Sequence, residues 1–126
     1  MNDLTFKMLE DISAYEGPHA IPGVRFKSAG QALGISAWGM NVIELDPNCE
    51  GYPEHDHKSD GQEEVYVVLR GSVIVQTQSG EQELLQGGLV RVPAEVRRKL
   101  VTRERGATIL ALGGTPGEPY KPSMGG

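Results

Sequence analysis

Apolar residues in this chain come in short runs, and nearly every run stops at glycine, proline or asparagine. The first is Val24–Lys27, which alternates and reads as an edge strand. Residues 35–45 carry Ile35, Ala37, Trp38, Met40, Val42, Ile43 and Leu45, with Gly39 inside, which predicts a strand pair or one bulged strand. Asp46-Pro47-Asn48 then supplies turn chemistry. Residues 65–69 are continuously apolar, as in a strand covered on both faces, and Gly71-Ser72 reads as a tight turn into a further strand at 73–77. A glycine-containing hairpin at 78–81, strands at 82–85 and 89–92, Pro93 as a stop, and two last strands at 99–102 and 108–112 complete the series. Short strands spaced by roughly 8–12 residues with a turn between each predict an all-β sandwich or barrel.

The remainder of the chain is less regular. In residues 1–23, Leu4, Phe6, Leu9 and Ile12 suit a short amphipathic piece, broken by Gly17-Pro18 and Pro22-Gly23. From Gly113 on, Pro116, Gly117, Pro119 and Pro122 predict an irregular tail that drapes over the surface and frays after Tyr120. No internal repeat or interdomain linker stands out, so one domain is expected over 1–126: an N-terminal extension (1–34), a core of about 35–113 and a tail (114–126).

Composition adds limits to this picture. With 126 residues, 38% hydrophobic and 23% charged, the chain is long enough for one ordinary core. Its net charge of −5 argues against a nucleic-acid partner. No apolar run approaches the roughly 20 residues needed to span a bilayer, and Met1-Asn2-Asp3-Leu4 lacks a basic stretch leading into an apolar one, so a cytoplasmic protein without a membrane partner is expected. The single cysteine, Cys49, excludes an internal disulfide; without a C-x-x-C pair it reads as a turn cysteine rather than a nucleophile.

Chemistry concentrates in residues 54–71, E-H-D-H-K-S-D-G-Q-E-E-V-Y-V-V-L-R-G. In an extended chain alternate side chains share a face, so His55 and His57 project together with Asp56 opposite. A neighbouring strand from Glu63 can add one oxygen. Two imidazoles and a carboxylate form the first shell of many Zn, Fe and Mn sites.

These residues resemble a single-domain cupin, whose fold is a double-stranded β-helix or jelly-roll barrel. The family's first motif reads G-x5-H-x-H-x3,4-E-x6-G; here His55 and His57 match, and the six residues before Gly71 select Glu64 rather than Glu63. The motif's opening glycine falls at Cys49, beside Asn48, a residue that tolerates a left-handed turn. Six residues separate His57 from Glu64, a loop longer than the family's. The second motif, G-x5-P-x-G-x2-H-x3-N, keeps Gly87 and Pro93, but Glu95, Arg98 and Thr102 stand at its glycine, histidine and asparagine. The fourth metal ligand of the family is thus an arginine, which has no lone pair to offer.

Two readings of His55, His57 and Glu64 follow. One is a three-ligand site for Fe, Mn, Zn or Ni with open positions for water or substrate; the other is a polar cluster without metal. Arg98 pairs with Glu64 and competes for that ligand, swings outward, or binds the carboxylate or phosphate of a substrate. Tyr66, which shares parity with Glu64, Glu63 and Trp38 are further substrate-binding candidates, Trp38 also suiting a plain pocket wall. Tyr52 can hydrogen-bond a ligand, and His19 is a late ligand or a solvated loop residue. Arg91, Arg97, Arg98, Lys99, Arg103 and Arg105 read mainly as a solvated rim. The resemblance also implies a homodimer. Three functions stay open: binding of a small polar or anionic molecule, a metal-dependent oxygenase or isomerase, and a ligand-sensing module acting with a separate partner.

Overall fold

A computed structural model of the chain describes residues 3–122. Seven strands carry it: β1 (Val24–Lys27), β2 (Gly39–Leu45), β3 (Glu63–Thr77), β4 (Gly80–Leu85), β5 (Leu89–Val92), β6 (Arg98–Val101) and β7 (Ala107–Gly114). A 3-10 turn (Leu9–Asp11) and one helix, α1 (Ala29–Leu33), are added before β2. All pairings are antiparallel. The all-β class expected from the strand pattern and the jelly-roll architecture implied by the resemblance are therefore observed.

The strand β3 organises the two layers. Its first half, 63–71, pairs with β7 and β5; its second half, 72–77, pairs with β4 and β6. The sequence suggested a tight turn at Gly71-Ser72, but the chain stays extended there. Val68 faces Ile109 and Arg70 faces Thr108, so Leu69 is an unpaired bulge residue. Gly71 follows with φ +81°, and a Cβ there would run into the Gly106 carbonyl oxygen. β7 still pairs at Gly71↔Ala107, so the glycine bends one strand from layer to layer rather than reversing it. Gly71→Ala should cost about 2–4 kcal/mol through the left-handed φ and the clash, read as a fall of roughly 10 °C in Tm by calorimetry; an unchanged Tm would refute this account.

Side chains alternating inward along these strands build the core. Ile43, Leu45, Tyr66, Val68, Val73, Leu100 and Ile109 are each no more than 2% exposed. On β3, Tyr66 and Val68 are buried while Val65 and Val67 are half-buried, so the outer face of this run is only partly covered, contrary to the expectation of two covered faces.

β2 also differs from expectation. It begins at Gly39, not at 35, because α1 and Gly34, in the left-handed region at φ +82°, precede it. A helix of five residues is too short to show a 3.6-residue period in sequence. The hairpin around Gln78-Ser79 and strands β5, β6 and β7 lie within two residues of the expected bounds. Residues 115–122 carry no regular structure; the last four residues of the expected frayed tail, and Met1 and Asn2, lie outside the described residues.

Candidate metal and ligand site

The segment carrying the histidines is held from both ends. The Thr102 hydroxyl donates to the Asp46 carbonyl (2.5 Å) and accepts from the Cys49 N–H (2.8 Å). Asn48 takes the left-handed conformation its side chain tolerates, at φ 55°. Further along, His55 and Arg98 exchange both backbone hydrogen bonds (2.9 and 2.8 Å), and the His57 N–H donates to the Ala94 carbonyl (2.8 Å). The histidines therefore lie on an extended stretch with a single bridge to β6, not on a strand of their own. Pro53 on one side and the turn at 58–60 on the other prevent a longer ladder. The two rings still converge, with centroids 5.2 Å apart.

Glu64 Oε1 is the point of convergence. His57 Nε2 lies 3.3 Å and His55 Nε2 3.7 Å away, the Tyr66 hydroxyl donates to it at 2.8 Å, and Arg98 Nη2 stands at 3.4 Å. Glu64 and Tyr66 are two apart on β3 and share its inner face. His57 Nδ1 contacts the Asp60 carboxylate and His55 Nδ1 the Pro53 carbonyl, both at 3.1 Å. Both partners only accept, so each Nδ1 carries a proton and each ring turns its Nε2 toward Glu64.

Burial pushes the Glu64 carboxyl upward; hydrogen bonds from His55 and Tyr66 and positive charge at His57 and Arg98 outweigh it, leaving the group below its ordinary value. Burial, in the first place, pushes the Tyr66 hydroxyl up, so it stays a donor. An ionised carboxylate facing two imidazole lone pairs needs a cation between them, either protons on the imidazoles or a metal ion.

The residues fit a metal. Bonds of about 2.0–2.2 Å from a metal to nitrogen or oxygen place neighbouring ligands about 3.0–3.5 Å apart. The separations of 3.3 and 3.7 Å are close to this. One ligand atom from each of His55, His57 and Glu64 lies within 4.8 Å of the others. His57 Nε2 is buried with no hydrogen-bond partner, which a metal bond would satisfy. Asp60 and the Pro53 carbonyl hold the rings as outer partners of metal-bound histidines do.

Arg98 points inward, against the outward alternative. It is fully buried; Nη1 donates to the Val96 carbonyl (2.8 Å), while Nε and Nη2 have no hydrogen-bond partner. The three ligands from the chain are thus accompanied by a buried cation at the position where the resemblance expects a fourth.

A cavity of about 700 Å³ adjoins the two histidines. His55 and His57 line it together with Asp56, Ser59 and Asp60, and Tyr15, His19 and Ile21 close it from the N-terminal segment. Trp38 and Glu63 are elsewhere. They border a second groove, lined also by Glu64 and Arg91, where Arg91 Nε donates to Glu63 at 2.9 Å, and Trp38 is 47% exposed. The one-residue offset between Glu63 and Glu64 sends them to opposite faces of β3. Arg97 and Arg103 pair with surface carboxylates, as a rim would. Cys49 is buried with a free thiol.

Asp60, which orients His57, was missed from sequence. It acts from a loop, where strand alternation carries no information; the only available signal is an acid three residues after a histidine, with Gly61 next to it at φ +72°.

No protein-family model and no curated protein sequence matches the chain. Solved structures do. A sugar phosphate isomerase of the cupin superfamily from Silicibacter pomeroyi superposes with TM-score 0.73 at 22% identity, over 86% of this chain and 74% of that one. KdgF from Halomonas sp. gives 0.72 at 14% identity, over 94% and 96%. The polyketide cyclase RemF from Streptomyces resistomycificus gives 0.73 at 18%, over 94% and 80%. The chain has the cupin fold, and on it a His-His-Glu group able to hold a metal.

Proposed function

We propose that this protein binds a small polar or anionic molecule in its barrel through a divalent metal held by His55, His57 and Glu64. The observation that carries this is the buried, unpartnered Nε2 of His57, 3.3 Å from the ionised Glu64, on a histidine that lines a cavity of ligand size. The metal, when bound, supplies Lewis acidity toward an oxygen of the ligand.

The chain does the rest. Asp60 and the Pro53 carbonyl hold a proton on each Nδ1, which leaves Nε2 as the atom each ring offers to a metal, and Tyr66 holds the Glu64 carboxylate in place. Arg98 brings a second positive charge, which favours an anionic group. Tyr66 acts through Glu64 rather than on the ligand, and Trp38 and Glu63 have no part in the cavity.

A second reading adds turnover. The isomerase and cyclase names of two similar structures favour an isomerase acting on a small polar substrate at the same centre. An oxygenase is the other metal-dependent alternative, and ligand sensing with a separate partner the third.

Metal analysis of protein purified without chelator tests the proposal. Fe, Mn, Zn or Ni at close to one per chain is expected in the wild type, with less than about a tenth of that in His57→Ala. EDTA should lower the Tm of the wild type alone. Metal-free protein indifferent to EDTA would overturn the metal reading.

A further inference from the structure

The chain has three histidines, and all three line the one cavity. His55 and His57 come from the barrel wall; His19 comes from the N-terminal segment. His19 is not part of the group that can hold a metal, and its ring makes no hydrogen bond or ion pair within the described residues.

The segment that carries it is seated, not loose. The Tyr15 N–H donates to the Phe26 carbonyl (2.8 Å), Lys27 Nζ donates to the Leu9 carbonyl (3.2 Å), and the Val24 N–H donates to the Ile21 carbonyl (3.1 Å). Ile21 packs so closely on Gly51 that a Cβ there would stand 2.9 Å from its methyl group. The His19 backbone is held as well: its N–H donates to the Tyr15 hydroxyl (3.3 Å), and the Ala20 N–H closes a turn onto the Gly17 carbonyl (3.1 Å). A solvated loop histidine has no need of such anchoring. Here the anchoring holds an exposed imidazole, with one donor and one acceptor, on the wall of the cavity that His55 and His57 also line.

We infer that His19 is a ligand-binding residue, and that the site is composite: barrel residues take the anionic end of the ligand at the metal, and the N-terminal segment takes a polar group at its far end. This rests on the metal-dependent binding proposed above. It narrows the ligand to a molecule polar at both ends and short enough for a cavity of about 700 Å³, such as a hydroxylated carboxylate.

Gluconate is a suitable probe, with a carboxylate for the metal end and hydroxyls for the mouth. Isothermal titration of wild type, His19→Ala and His19→Gln is expected to show gluconate affinity about tenfold weaker in the alanine variant, the size of one lost hydrogen bond. The glutamine variant, which keeps a donor and an acceptor, should recover most of it. Metal content and Tm should be the same in all three. Equal affinity in wild type and His19→Ala would overturn the role of His19. Metal-loaded wild type that binds no gluconate would overturn the ligand class. Wild type without metal would instead remove the reading beneath both, so the failures are distinguishable.

Discussion

Glu64→Gln is expected to be the most damaging single substitution in the site, with a loss of about 3–5 kcal/mol and of all bound metal. Four groups meet its Oε1: both imidazoles, the Tyr66 hydroxyl and the Arg98 guanidinium. An amide of the same shape keeps the volume and removes the charge. Arg98, with no exposure at all, is then a buried cation without a counter-ion, and its Nε and Nη2 already lack partners. The cost comes from that uncompensated charge rather than from a lost contact. Urea denaturation should show a lower midpoint at unchanged m value, since the packing is intact. A variant as stable as the wild type, or one that retains metal, would show that the carboxylate does not hold the cluster together.

Arg98→His should act in the opposite direction on metal and in the same direction on the metal-free protein. The side chain sits where a fourth ligand would complete the set, and its nearest approach to Glu64 is 3.4 Å. An imidazole there adds a lone pair and removes a cation that repels the metal and competes for Glu64. A gain of at least about tenfold in metal affinity is expected, or 1.4 kcal/mol. Without metal, Glu64 loses its guanidinium partner and stability falls. The gap in Tm between metal-loaded and EDTA-treated protein should therefore widen. Unchanged metal affinity in a folded variant would mean that position 98 does not face the metal.

The sequence by itself determined the class of fold and the identity of the cluster. Short runs of period two, each closed by glycine or proline, cannot build helices long enough to pack, so an all-β sandwich or barrel was legible, and β5, β6 and β7 were placed to within two residues. His55, His57 and Glu64 were legible because their types and spacing carry chemistry wherever the backbone is extended. Left-handed geometry at Asn48 was legible too, from local side-chain chemistry alone.

Tertiary structure decided what depends on partners distant in sequence. Gly71 reads as a turn until β7 is seen to continue past it; the same positive φ then serves a bulge that joins two layers. The histidine segment reads as a strand until its one bridge to Arg98 is seen. The direction of Arg98 was open because alternation gives a face but not which face is inside, and that depends on Glu64 supplying the opposite charge within the barrel. Glu63, one residue from Glu64 on β3, faces away from it and borders a second groove with Trp38; Asp60 and His19 entered the cavity from loops, which carry no periodicity. Their side chains are aimed by backbone hydrogen bonds to segments that only the folded chain brings near.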